Sequence, residues 1–393
     1  MKTVSEIPKE NCSGCSACYA ACPKNCIKMK SDDEGFLYPY VGNECISCGK
    51  CIKVCPQLNP IHGSVNVEQE AYAAITKNQN TWRKSASGGS FAEICKVWGY
   101  GNSIVYGAAW NNNKVIHVRV NCSNLDSVLC SKYVASDINE CYLNIKKDLL
   151  AGKYVVFSGT PCQVAGLKAL LNKEYDRLLL IDFVCHGVGS PKVFEDCITL
   201  LEKQFRKKVS EYHFRAKKRY FESRHIQKLV FDDNSCVFVK DDPYMQLFLS
   251  EKCLRRSCGK NCKYRNSNRQ GDITLADYKG LFLDFPDLQG SKYNYTALVF
   301  NTSKSLNIKE KLADRLVMRN STLEAIKRDN RLFYKQTDHE ADRDFFVNYV
   351  DSPMETCLNH TEEATIMRWS LIRFLYDALP ICVRKMIYRY RTR

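Results

Sequence analysis

The chain has 393 residues, 45% hydrophobic and 26% charged, an ordinary globular balance with room for two or three domains, which excludes disorder as its dominant state. No run of about 18 uncharged apolar residues occurs and the N-terminal MKTVSEIPKE lacks an apolar signal core, so neither a spanning helix nor secretion is expected, and the expected location is the cytoplasm. The 22 cysteines point to metal or redox chemistry in a reducing compartment, and the formal charge of +15 is concentrated in residues 202–269 (18 Lys+Arg, 8 Asp+Glu) and 366–393 (7 and 1).

Nine cysteines fall within residues 12–55, and eight of them form two copies of one pattern 33 residues apart. Cys12, Cys15, Cys18 and Cys22 precede Pro23; Cys45, Cys48, Cys51 and Cys55 precede Pro56. This Cys-x2-Cys-x2-Cys-x3-Cys-Pro run is that of bacterial two-cluster ferredoxins. Thiolates three residues apart in a tight loop converge on one cubane, and inward backbone N–H groups stabilise its negative charge. The small residues Ser13, Gly14, Ser16 and Ala17, and Ser47 and Gly49, permit that wrap. The fourth cysteine of each run serves the other cluster. One [4Fe-4S] cluster is therefore assigned to Cys12, Cys15, Cys18 and Cys55, and the second to Cys45, Cys48, Cys51 and Cys22. Structural zinc usually takes two Cys-x2-Cys pairs instead. Cys26 reads as a small buried hydrophobe.

Residues 57–68 read as a linker. Strands are expected at 71–76, 103–110 and, half exposed, 115–120, with a helix from 89 to 98. Strand 153–159, helix 162–171, strand 177–185 and helix 192–205 follow. The continuous apolar strands argue for a mainly parallel sheet covered by helices. Sites in such sheets form beyond the carboxyl ends of the strands, where Ser87-Gly88-Gly89 opens a helix, Gly159-Thr160-Pro161-Cys162-Gln163 follows a strand and Cys185-His186-Gly187 ends the next. Each is weak alone, and the dinucleotide fingerprint GxGxxG is missing.

In order along residues 1–300, the ferredoxin run, SASGG (85–89), SKYVAS (131–136), FSGTPCQVAGLKALL (157–171), DFVCHGVGSPKVF (182–194), HFRAKK (213–218) and RQGDITLADYKG (269–280) resemble the beta subunit family of coenzyme F420 hydrogenase/dehydrogenase. The resemblance implies an FAD-binding oxidoreductase that couples a two-electron substrate to one-electron iron-sulfur carriers. The implied architecture is α/β: a two-cluster ferredoxin-like α+β domain (1–60), a flavin-binding α/β domain in two parts (68–150 and 151–310) and a helical basic C-terminal region (311–393). Carried over residue by residue, the flavin site comprises Ser87, Gly88, Gly89, Ser131, Lys132, Tyr133, Thr160 and Pro161. Lys132 is either a charge beside the flavin or a solvated lysine. His186 is either a proton donor or a loop-orienting residue. Cys162, Cys185, Cys258 and Cys262 are either ligands of a third [4Fe-4S] cluster, as in some relatives, or individually buried thiols; Cys253 is an alternative ligand. Three departures leave the substrate, coenzyme F420 included, open: Asp277-Tyr278-Lys279-Gly280 where an aromatic Asp-Phe-Trp-Gly is usual, Gly189 where proline is common before Ser190, and Cys130 where glycine often precedes the SKY triplet.

In the basic segment, Arg206, Lys207, Lys208, Arg215, Lys217, Lys218 and Arg219 interleave with Tyr212, Phe214, Tyr220 and Phe221. This reads as a docking face for an anionic small-molecule or glycan-linked substrate or an acidic ferredoxin, ahead of nucleic acid, or as a solvated charged face. The tail 366–393, with Trp369 and Phe374 on one side, reads either as an interfacial helix at the inner membrane face or as a helix packed on the body. The expected partner is a redox protein; the alternative role is an electron-transfer subunit for a separate catalytic protein, and bacterial sequences resembling this one are associated with surface polysaccharide synthesis.

Overall fold

Short loops rich in cysteine and small residues leave the N-terminal segment little from which to build a core. In the computed structural model, which describes residues 3–217, 226–334, 343–366, 375 and 378–391, this segment forms α1 (Ala17–Ala21), β1 (Ile27–Ser31), β2 (Leu37–Val41) and α2 (Lys50–Lys53). β1 and β2 pair antiparallel, with Ile27 opposite Val41. Val4, Cys26, Ile27 and Cys51 make the buried cluster, and Cys18, Cys22, Cys45 and Cys55 pack against it. A core made so largely of thiols depends on what the thiols hold.

The body is built on one eight-stranded sheet. Its strands are β3 (Glu70–Thr76), β4 (Ile104–Asn111), β5 (Lys114–Asn121), β6 (Val155–Ser158), β7 (Leu178–Phe183), β11 (Ile273–Asp277), β12 (Thr296–Phe300) and β13 (Leu316–Ser321), in the order β13-β3-β12-β11-β7-β6-β4-β5. The sheet is mixed. The inner strands β4, β6, β7 and β11 run parallel, whereas β5, β12, β3 and β13 join antiparallel. The expected mainly parallel sheet is thus corrected: apolar runs report burial on both faces and carry no information about strand direction. Strands from both sides of residue 150 share this one sheet.

Around the sheet lie α3 (Gln79–Lys84), α4 (Ser90–Val97), α5 (Cys141–Leu150), α6 (Pro161–Leu171) and α7 (Pro191–Phe205). Thr160 caps α6, with Gln163 answering in a capping box and Pro161 at the first turn. Helix α6 is the crossover between the parallel strands β6 and β7, so it starts where β6 delivers its carboxyl end. A second sheet, β8 (Val209–His213), β9 (Ile226–Phe231), β10 (Cys236–Lys240) and a short strand Thr365–Ile366, packs with α7 and α8 (Pro243–Leu249) around Phe194, Tyr212, Phe214, Tyr244 and Phe248.

Three expectations change here. The basic segment is not one face: Tyr212 and Phe214 are core residues, Arg215 is buried against Asp277, Lys207 pairs with Asp233 and Lys208 with Glu202. Lys218, Arg219, Tyr220 and Phe221 lie outside the described residues. The expected helical region from 311 onward contributes strand β13 to the sheet edge, because Leu316 is buried and pairs with Thr76. In the tail a helix spans Ile381–Arg391, while Trp369 and Phe374 lie outside the described residues. No described helix is long and apolar enough to cross a membrane.

The linker 57–68 is tied to the body. Ser64 N donates to Arg269 O at 2.7 Å, Asn66 N to Asn301 O at 3.1 Å, and Lys168 Nζ to His62 O at 2.9 Å. The module is anchored beside it by Tyr264 Oη on Pro56 O (2.7 Å) and Lys263 Nζ on Gln57 O (2.6 Å).

Candidate functional site

Three thiol-lined cavities and a fourth, largely apolar cavity with a few polar groups follow each other through the molecule. Cys12, Cys15, Cys18 and Cys55 line one small cavity of the module together with Ser13, Gly14, Ser16 and Ala17. Cys22, Cys45, Cys48 and Cys51 line a second. Each fourth cysteine stands with the other run. Left-handed backbone at Ser16 (φ 63°) and Gly49 (φ 72°) turns each loop over its cavity. Burial pushes the Cys15 thiol up to about 12, with the thiols of Cys55 and Cys12 adding to it, and pushes Cys18 well above its usual range. Such thiols give up their protons only as iron arrives. Cys26 is buried at the second cavity as a fifth thiol, its Sγ 3.4 Å from that of Cys22.

The third cavity, about 470 Å³, lies between module and body, and Cys162, Cys185, Cys258 and Cys262 all line it. They arrive from separate places: Cys162 in the first turn of α6, Cys185 two residues beyond β7, and Cys258 and Cys262 from a turn-rich segment after α8. Burial is the main reason that Cys162 and Cys258 are pushed up to about 12 and Cys185 higher still, with the neighbouring thiols contributing. Cys253 is elsewhere, buried in the aromatic core with its carbonyl accepting from Ser190 N at 2.9 Å, and is not among the residues lining this cavity. At residue 166 any Cβ would come within 2.9 Å of Cys15 Sγ, so Gly166 lets α6 bring Cys162 close to the first module cavity. Arg255, Arg265, Arg269 and Tyr264 complete the lining, all four largely buried.

Beyond Cys185 the fourth cavity, about 290 Å³, lies at the carboxyl ends of β6, β7 and β11. Its size is at the lower end of small-molecule sites, roughly 300–1,000 Å³. Of the predicted flavin residues, Ser87, Gly89, Ser131, Lys132, Tyr133 and Thr160 line it, as does His186. Gly88 and Pro161 do not. The Gly88 amide donates to Thr296 Oγ1 at 2.9 Å, and a Cβ there would lie 2.1 Å from Ala74 O, so this glycine serves the approach of two strands. Pro161 lines the third thiol cavity.

Charge and hydrogen bonding in this cavity are unevenly satisfied. Lys132 Nζ donates to Leu129 O at 2.6 Å and Ser127 O at 2.9 Å, and desolvation pushes it down to about 8. It is half-buried and tied to its own loop. His186 Nε2 stands 3.4 Å from Glu251 Oε1, and desolvation lowers its pKa.

Two residues missed in the sequence as site residues also belong here. Arg215 gives Nη1 to both carboxylate oxygens of Asp277 (3.0 and 2.9 Å), while its buried Nε and Nη2 have no acceptor. His117, with its ring stacked on Phe157, has Nε2 3.1 Å from Ser158 O and a buried, unpartnered Nδ1. Burial pushes it down to about 4, so it is neutral; with Nε2 donating to the carbonyl, Nδ1 is an acceptor. The position of His117 on the inward face of an alternating strand was the available signal. Arg215 was hidden in the count of surface charge.

These sites define a class, an iron-sulfur protein of the oxidoreductase type. The family described as the C terminus of the coenzyme F420 hydrogenase/dehydrogenase beta subunit matches residues 152–325, and a 4Fe-4S dicluster domain matches residues 11–59. The chain belongs to the coenzyme F420 hydrogenase/dehydrogenase beta subunit family, with a ferredoxin-type dicluster domain at its N-terminus. It is 34% identical over 71 residues to the ketoisovalerate oxidoreductase subunit VorC of Methanothermobacter marburgensis, covering 17% of this chain and 87% of that protein. It is 36% identical over 50 residues to an uncharacterized ferredoxin of Methanocaldococcus jannaschii, covering 13% of this chain and 65% of that ferredoxin. Among solved structures, a chain of the F420-reducing [NiFe] hydrogenase complex from Methanosarcina barkeri aligns over 76% of this chain and 92% of its own, with a TM-score of 0.42 and 14% identity.

Proposed function

We propose that this protein is an FAD-dependent oxidoreductase in which three [4Fe-4S] clusters lead from the flavin to the protein surface. The observation that carries the reading is the convergence of Cys162, Cys185, Cys258 and Cys262 on one cavity between the fourth cavity and the first thiol cavity of the module. Four cysteines from three segments meet there, and buried arginines line the same cavity, where their charge would favour an anionic cubane.

The fourth cavity, largely apolar with a few unpartnered polar groups, suits the flavin ring edge. Arg215 offers two unpartnered donors and His117 an unpartnered acceptor, and the pyrimidine edge of a flavin alternates carbonyl oxygens with an N–H. Arg215, backed by Asp277, would hold that edge together with His117, while Ser87, Gly89 and Thr160 shape the wall. The flavin, when bound, supplies the exchange between hydride transfer and single electrons. Tethered to loop carbonyls, Lys132 adds positive charge to the cavity without reaching across it. His186, at the loop that also carries Cys185, is positioned to hold or deliver a proton at Nε2. The cationic lining favours an anionic two-electron substrate.

The far end of the chain of cavities is open. Cys48 is exposed and Ile46 is 58% exposed, so the second module cluster is the point at which a redox partner protein would exchange electrons. The electron-transfer alternative, service to a separate catalytic protein, draws on that same exposed face.

The test is the ultraviolet-visible spectrum of anaerobically purified protein with flavin, iron and sulfide analysis. One flavin and about 12 irons per chain are expected. Protein that binds no flavin on anaerobic reconstitution would remove the enzymatic half of the reading, and about 8 irons would remove the third cluster.

A further inference from the structure

Arg255 is 2% exposed and lies between two thiol-lined cavities. It lines the cavity of Cys162, Cys185, Cys258 and Cys262. Its Nε donates to Cys12 O at 2.8 Å, and its Nη2 stands 3.9 Å from Cys12 Sγ, the first thiol of the module. Nη2 also donates to Leu37 O at 2.8 Å, and the Tyr38 ring centroid is 4.3 Å from Cζ. Room for the guanidinium exists because residue 14 is glycine: a Cβ there would meet Nη1 at 2.7 Å.

No carboxylate pairs with Arg255 among the described residues. The neighbouring Glu34 is taken by Arg256 and Arg343. Burying a charge without a counter-charge costs several kcal/mol, and carbonyl dipoles offset only part of that. Tyr38 and the thiols of Cys12 and Cys258 are the groups that favour its charged form. Those two thiols line different cavities.

We propose that Arg255 is the shared counter-charge of two iron-sulfur clusters, the one held by Cys12, Cys15, Cys18 and Cys55 and the one held by Cys162, Cys185, Cys258 and Cys262. The inference rests on the three-cluster reading above. Each cluster gains negative charge on reduction, so a fixed cation beside it stabilises the reduced form and raises its potential. One guanidinium placed between two clusters raises the potential of both, favouring reduced states on either side of the boundary between body and module. Arg255 is in this sense a positioning residue for electrons. Among the described residues, neither module cavity has an arginine in its lining; Arg255 reaches the first through its contacts with Cys12, whereas the cation in the wall of the second, lined by Cys22, Cys45, Cys48 and Cys51, is Lys24.

The experiment is a potentiometric titration followed by low-temperature electron paramagnetic resonance on the full-length holoprotein, comparing wild type with Arg255→Gln, Arg255→Lys and the neighbouring control Arg256→Gln. With Gln at 255, two of the three midpoints are expected to move down while the third stays in place; Lys restores most of the shift and the control moves none. Unchanged midpoints in fully loaded Arg255→Gln, or an equal shift of all three, overturns the proposal. Should the Gln variant fail to hold iron, the Lys variant decides: it keeps the charge and loses the planar fork, so midpoints near wild type support the electrostatic role and a matching loss of clusters opposes it. Wild-type protein with about 8 irons fails the three-cluster reading alone, and the Arg255 shift is then read on the first module cluster against the second.

Discussion

The two cysteine runs of the module share one spacing and differ in surroundings. In the first, Cys12 and Cys15 are buried, and Arg255 presses against Gly14. In the second, Cys48 is exposed, the counterpart of Gly14 is Ser47, and Gly49, the counterpart of Ser16, has nothing within 4 Å of a Cβ position. Equal cysteine spacing therefore gives one site that faces inward, toward the body's own thiols and the fourth cavity, and one that faces outward. The difference gives the path a direction in space, which no count of cysteines contains.

The largest effects should come from the ligands. Cys15→Ser is expected to remove about four irons per chain and also to loosen the seat of the module, since Cys15 packs into the buried cluster of Tyr106, Tyr142 and Phe157. Cys48→Ser should remove the same iron and leave that seat intact. Iron analysis with limited proteolysis at the 57–68 segment distinguishes them; equal protease sensitivity would break the comparison.

The glycines should divide the same way, with smaller effects. Gly14→Ala meets both an unfavourable φ of +65° and the Arg255 guanidinium, and is expected to cost about 2–4 kcal/mol. Gly49→Ala meets only the backbone penalty, about 1–2 kcal/mol. Anaerobic denaturant titration reads the difference, and equal losses would mean that Arg255 yields at no cost.

A smaller effect concerns the platform under the first site. Asp148, on α5, accepts from Tyr106 Oη (2.7 Å), Arg119 Nε (2.8 Å) and Lys153 Nζ (2.9 Å). Desolvation raises its pKa, but the hydrogen bonds from Arg119, Tyr106 and Lys153 outweigh it and hold the group down at about 2. A carboxyl depressed on folding stabilises the protein above its unfolded pKa of about 4 and loses that contribution as pH falls toward the folded value. Asp148→Asn should therefore cost about 1–2 kcal/mol at pH 7, and the gap to wild type should close between about pH 4 and about pH 2. A gap independent of pH would contradict this origin.

How much of this was legible depends on how far apart in sequence the partners lie. The grouping of the eight module cysteines around two cavities could be read because three thiols of each cavity sit in one loop, and Cys22 and Cys55 stand with the other run as expected of the cysteine before each proline. Helix α6 was expected at 162–171 and spans Pro161–Leu171. The set Cys162, Cys185, Cys258 and Cys262 could only be suggested, since its four members meet through tertiary packing. Strand direction was not legible, because apolar content reports burial alone. Arg215 and Arg255 sat inside a segment that looked like a basic surface, and charge counts do not distinguish a solvated cation from a buried one. Cys130 had a readable departure whose reason is now visible: its φ is +66°, a conformation that glycine adopts without strain.

The central claim is that the body's four scattered cysteines hold a cluster of their own. Iron and acid-labile sulfide in anaerobically purified wild type, Cys48→Ser and Cys258→Ser test it most directly. The account expects about 12 irons in wild type and about 8 in each variant, with the flavin absorbance retained in both. About 8 irons in wild type, unchanged by Cys258→Ser, would contradict it.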